Sequence, residues 1–225
     1  MLPALALALC AASSSAESLD QLVSRVARAY GGEKALSRVK AFRETGTLET
    51  SRGVARTVRI FAPPDRLRVE IEYPGGGGEL RVLDGETGYR DGEKVVGAPR
   101  DAMILQAARL DLPFLLLRNR KKLVDLGELK REGKPMRGIG VALGGSLVLA
   151  VTVDPASARI VRSEGGLPGP AGQIRFATDY SGFREVGGVL FAFQEENFAS
   201  GQHTGETKLE KIDLLDKAPA SAFKP

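Results

Sequence analysis

The feature that most constrains this chain is a change of hydrophobic period. Ser18 to Tyr30 places Leu19, Leu22, Val23, Val26 and Tyr30 at three- and four-residue steps. That is the stripe of an amphipathic helix, with Ser18 as its N-cap and Gly31-Gly32 as its stop. A second short helix is expected over Glu33 to Val39, and from Phe42 onward the period falls to two. The clearest case is Arg66 to Tyr73, where Leu67, Val69, Ile71 and Tyr73 alternate with Arg66, Arg68, Glu70 and Glu72. Such a strand has one apolar and one charged face, so it needs a cover on one side only.

Turn residues divide the rest into further strands: Phe42 to Thr50, Thr57 to Ala62 before Pro63-Pro64, and Glu79 to Leu83 before Asp84-Gly85. Ile139, Val141 and Leu143, then Leu147, Leu149, Val151 and Val153, predict a hairpin across Gly144-Gly145. Ile160 to Ser163, Ile174 to Tyr180, Val189 to Phe198 and Thr204 to Leu214 follow, with Gly165 to Gly172 as a flexible loop. Hairpin connections among roughly ten strands make the sheet antiparallel and the protein mainly β with helices, an α+β chain. The exception is Arg100 to Asn119, where Ile104, Leu105, Ala108, Leu112, Leu115 and Leu116 predict a helix kinked or split at Pro113.

Two features bear on compartment. Leu2 to Ala12 is almost wholly apolar and runs into Ser13-Ser14-Ser15-Ala16, where Ser14 and Ala16 give a small-x-small cleavage pattern before Glu17. Residues 1–16 are therefore expected to be a signal peptide and 17–225 a single domain, exported to the periplasm. A lipid-anchored form through Cys10 is the alternative, although Leu9 stands where a lipobox wants a small residue. With one Cys and one His in 225 residues, a disulfide framework and a Cys/His zinc site are excluded, and in a chain processed after Ala16, which has lost Cys10, so is a Cys–His catalytic pair. The net charge of +4 is spread among acids, so no nucleic-acid partner is expected.

No motif carries catalysis. Tyr73-Pro74 followed by Gly75 to Gly78 lacks the Lys-Ser/Thr of a phosphate loop and reads as a hairpin turn. His203 lies in a polar connection with no base or metal partner, and Glu195 and Glu196, adjacent on a strand, point to opposite faces and read as solvated charges. Arg118, Arg120, Lys121 and Lys122 read as a solvated helix end. No catalytic residue, cofactor or metal is expected. The apolar sheet face needs a cover, and the helices supply it either as a tightly packed core or as a lid over a cavity; the residues leave both open.

Several segments, taken in order, resemble the periplasmic lipoprotein-carrier superfamily, the LolA/LolB-like proteins and their outer-membrane lipoprotein-sorting-like members. They are Tyr30 to Leu36 before Gly46-Thr47, Leu83 to Tyr89 with its Asp84-Gly85 turn, Val153-Asp154-Pro155 with Ile160-Val161-Arg162, Tyr180 to Val189, and the closing Ala222 to Pro225. The resemblance covers most of residues 17–225. It implies a curved antiparallel sheet forming an incomplete β-barrel lidded by helices, with an apolar cavity for an acyl chain, a lipid or an acylated protein, and no catalysis. On that reading the protein is a monomer with possible envelope protein partners. Its ligand-binding residues are Leu67, Val69, Ile71, Leu147, Leu149, Val151, Val189, Phe191 and Phe193 on the sheet, under Ile104, Leu105, Leu112 and Leu115. The alternative is a structural or interaction module of the envelope with a filled core.

N-terminal sequencing of the exported protein is expected to begin at Glu17; a mature chain starting at a diacylated Cys10 is the opposite result.

Overall fold

The computed structural model describes residues 17–169 and 172–225. The expected signal peptide and its Cys10 alternative both fall on residues outside those described. The first helix, α1 (Leu19–Ala29), is closed by a capping box: Ser18 Oγ accepts the Gln21 N–H at 3.3 Å and Gln21 Oε1 accepts the Ser18 N–H at 2.8 Å. A single turn, α2 (Glu33–Leu36), leads into β1 (Ala41–Thr50), β2 (Gly53–Ala62), β3 (Arg66–Glu72), β4 (Gly78–Asp84), β5 (Thr87–Arg90) and β6 (Glu93–Val95). The central helical segment is split at Pro113, as its sequence predicts, into α3 (Ala98–Leu110) and α4 (Phe114–Arg118).

Strands then resume as β7 (Val124–Arg131), β8 (Lys134–Gly144), β9 (Leu147–Asp154), β10 (Arg159–Gly169) and β11 (Gly172–Ser181). The last four are β12 (Arg184–Val186), β13 (Val189–Phe191), β14 (Gln194–Ala199) and β15 (Gln202–Leu215). Thirteen of these form one antiparallel sheet in the order β6-β5-β4-β3-β2-β1-β15-β14-β11-β10-β9-β8-β7, and β12 and β13 form a separate ribbon. Among the described residues the two end strands, β6 and β7, do not pair with each other, so the sheet is an open half-barrel.

Three expectations need correction. Gly165-Gly166-Leu167 is strand, paired with Phe176, Arg175 and Ile174 of β11, and Gly165 also faces Leu149 of β9. The glycine is there for space: a Cβ on Gly165 would meet Leu105 of α3 at 2.5 Å, so the helix lies directly on a strand without side chains at that point. Val189 to Phe198 is two strands in two sheets, because β13 leaves with β12 while β14 joins β11 and β15. Finally, the strands number fifteen among the described residues rather than about ten. The clearest omission is β7, where the alternation of Val124 and Leu126, themselves 58% and 47% exposed, is broken by a register shift between Asp125 and Gly127 and resumes out of phase at Leu129.

Helix α3 closes the architecture. It packs on β3, β4 and β5 of one wing and on β8, β9 and β10 of the other. Its buried residues, Met103, Leu105, Ala107, Ala108 and Leu110, surround the helix instead of forming one stripe, as expected for a helix held on two sides. Beside it α1 buries Leu22, Val23, Val26 and Ala27, and Tyr30 Oη accepts the Ile160 N–H at 3.1 Å.

The ladders break register at several places, one of them between Thr45 and Gly46 where β1 meets β15, and such bulges bend the strand that carries them. A Cβ on Gly46 would stand 2.1 Å from the Lys208 carbonyl oxygen. Gly46→Ala is therefore expected to destabilise the protein by about 2 to 3 kcal/mol in urea unfolding, and an unchanged midpoint would show that the two strands have room to separate.

Candidate functional site

Between α3 and the concave face of β1–β5, β11, β14 and β15 lies a cavity of about 410 Å3. Leu48, Val69, Ile71, Met103, Leu105 and Phe176 give it apolar walls. Its polar lining is unusual for the inside of a sheet: Arg59, Thr178 and Thr207 are all buried, and Glu195 and Tyr180 face the same space. A volume of this size falls within the range of small-ligand sites.

The polar centre is an ion triad. Arg59 on β2 stands directly opposite Glu44 on β1, with Nε 2.7 Å from Glu44 Oε2. Its two terminal nitrogens donate to Glu195 of β14 in a bidentate pair at 2.6 and 2.9 Å. In a flat sheet β2 and β14 would lie about 14 Å apart, three strand spacings, so this pair exists only because the sheet curls. Burial draws the Arg59 guanidinium down, but Glu195 and Glu44 together outweigh it and leave it held firmly protonated. Burial pushes the Glu44 carboxyl up to about 7, against the pull of Arg59 and with the help of the Glu195 charge.

Two further groups complete this end of the cavity. Tyr180 shares a hydrogen bond with Ser163 Oγ at 2.7 Å, and burial raises its phenol pKa. Arg109, in the last turn of α3, has Nε and Nη2 shut away from solvent with no hydrogen-bond partner among the described residues, and burial lowers its pKa. Nearer β4 and β5, Glu79 is held by Arg81 at 2.6 Å and Arg90 at 2.7 Å, and these two hold its carboxyl below the usual range.

The thirteen residues chosen from sequence divide among several places. Val69, Ile71 and Leu105 line the cavity. Ile104, Leu115 and Leu147 line a second one of about 550 Å3 on the β8–β9 turn side of α3. Leu112 and Phe191 line a cleft of about 40 Å3 beside Tyr30. Leu67, Leu149, Val151, Val189 and Phe193 are buried in the main core and line none of the three.

Glu195 corrects the sequence reading. Glu196 is exposed more than its neighbour and lies on the other face, but Glu195 points inward to Arg59 and is not a solvated charge. Sequence reasoning also passed over Arg59, Glu44, Arg109 and Tyr180. A signal was present for the first two, since Arg59 falls in phase with the inward Ala55, Thr57 and Phe61, and Glu44 in phase with the inward Phe42. Of the basic cluster, Arg118 pairs with fully buried Asp111 and Arg120 with Asp20 and Glu33, while Lys121 and Lys122 are exposed. His203 is exposed at the start of β15, 5.5 Å from the Phe198 ring. Among the described residues, no three His, Cys, Asp or Glu side chains gather as a metal site would require, and no helix is long and apolar enough to cross a membrane.

An open antiparallel half-barrel, spanned by a helix above a cavity with a charged centre, defines a fold with solved counterparts. A LolA superfamily protein from Nitrosomonas europaea superposes with a TM-score of 0.57 at 11% identity, covering 92% of this chain and 97% of that one. A DUF1329 family protein from Desulfovibrio piger aligns at 0.48 and 9% identity, covering 93% and 98%. A domain described as an outer-membrane lipoprotein-sorting protein from Vibrio parahaemolyticus aligns at 0.39 and 12%, covering 85% and 93%. No protein-family model and no curated protein matches the sequence. The chain has the LolA-like fold that its ordered turn motifs resemble.

The raised Glu44 carboxyl gives a signed pH dependence. Its ordinary value is 4.5, so between about 4.5 and 7 the folded state binds a proton that the unfolded chain has lost, and stability falls as pH rises through that window. Glu44→Gln has no such proton to lose, and its melting temperature relative to wild type is expected to improve from about pH 5 to about pH 8. A difference that stays flat across this range would place the proton elsewhere.

Proposed function

We propose that this chain is a non-catalytic periplasmic carrier that holds the acyl chain of a lipid or acylated protein in the cavity beneath α3. The observation that carries the reading is that cavity: space lined by Val69, Ile71 and Leu105 inside an open sheet, with one helix spanning the gap between the wings. Burying an alkyl chain contributes about 0.8 kcal/mol per methylene, so about fourteen carbons supply on the order of 10 kcal/mol before ordering costs. That suffices for reversible capture with no bond made or broken. The apolar run before Glu17 supports the periplasm as the compartment. Envelope proteins that deliver or receive the lipid are its proposed partners, and the carrier acts as a monomer.

One observation favours the alternative of a filled envelope module. Leu67, Leu149, Val151, Val189 and Phe193 are core residues, so much of the apolar face is already occupied. Ligand uptake separates the two readings. Ala102 is exposed and borders the cavity, so Ala102→Trp narrows it at little structural cost. The substitution is expected to weaken binding of a fluorescent fatty acid at least about tenfold with the melting temperature preserved, and bound phospholipid should be recovered intact. No uptake by the wild-type protein would establish the filled module, and recovery of hydrolysed acyl groups would make it an enzyme.

A further inference from the structure

Four arginines and two glutamates line the cavity, and three of the arginines already have acceptors. Arg59 is held by Glu44 and Glu195, Arg81 by Glu79 and Gln106, and Arg90 by Glu79. Arg109 is different. Its Nε and Nη2 are buried and have no partner among the described residues, although the side chain borders both this cavity and the small cleft beside Tyr30. Both oxygens of Glu195, the nearby carboxylate, are engaged by Arg59.

A guanidinium removed from water without an acceptor is expensive, and it cannot relieve the cost by shedding its proton within the physiological range. Its planar donor fork matches an oxyanion of two or more oxygens better than any neutral group. We propose that Arg109 is the counter-ion for the head of the bound ligand, so that the cavity selects an apolar chain ending in a carboxylate or phosphate over a neutral one. The apolar walls at Val69, Ile71 and Leu105 take the chain, and Arg109, which lines the same space and whose Nε edge has no protein acceptor among the described residues, turns its guanidinium to take the charge. This rests on the carrier reading and gives it a chemical specificity.

Palmitate, hexadecyl phosphate and hexadecanol share a chain length and differ in the head, so competition of each against a neutral fluorescent probe isolates the head. Wild-type protein is expected to prefer at least one of the two anions over the alcohol by about tenfold, and the larger preference identifies carboxylate or phosphate as the natural head. In Arg109→Met that preference should shrink to about twofold or less, while hexadecanol affinity and the melting temperature hold or rise, because no native hydrogen bond of the buried Nε edge is lost. Arg109→Lys should retain part of the preference. Equal binding of all three ligands by wild type, or an anion preference that survives Arg109→Met, would overturn the assignment and leave the carrier reading intact. Failure of hexadecanol and both anions to bind at all would overturn both.

Discussion

The Arg59 guanidinium reaches from β2 to carboxylates on β1 and β14, and the curl of the whole sheet is expressed in that reach. Glu44 is its cross-strand neighbour, whereas Glu195 lies 136 positions further along the chain and three strands away in the sheet. A buried ion group of this kind contributes little net stability compared with a well-packed apolar cluster, yet losing one member strands the others. Its effect is therefore on shape: a flatter sheet would leave Arg59 facing one acid, and a tighter one would leave no space beneath α3. The helix depends on the same curvature, since it must touch β3–β5 and β8–β10 at once.

Much of the architecture was legible because hairpins write themselves locally. The alternation of Leu67, Val69 and Ile71, the Gly144-Gly145 turn and the break at Pro113 all correspond to observed elements. What escaped depends on distant contacts. Gly165-Gly166 reads as loop until Leu105 is seen pressing on it from another part of the chain. Strand β7 hides its period because a bulge between Asp125 and Gly127 moves its apolar residues from the phase of Val124 and Leu126 to that of Leu129. The charged centre escaped for a related reason: a charge inside a strand is read as facing water, and although Arg59 shares the phase of the inward Thr57 and Phe61, its pairing with Glu44 and Glu195 emerges only once β1, β2 and β14 are brought together. Ligand residues chosen by alternation alone mix cavity wall with core, since both share the inward phase and only the position of α3 separates them.

The likeness to the Nitrosomonas europaea protein holds over nearly the whole length of both chains at 11% identity. At that distance what the two chains share is the fold. Such a scaffold tolerates replacement of its inward residues as long as volume and phase are kept.

The unpaired ends at β6 and β7 carry a mechanical consequence. A closed barrel is a continuous hoop, and widening its interior means tearing a ladder of backbone hydrogen bonds. This sheet behaves more like a clasp: its two ends can draw apart or together by small changes of twist distributed over thirteen strands, with every ladder preserved. Resistance to that motion is concentrated in the side-chain contacts of α3, which bridges the gap. On the carrier reading proposed above, a bulky guest would have to displace only those apolar contacts and none of the backbone ladders.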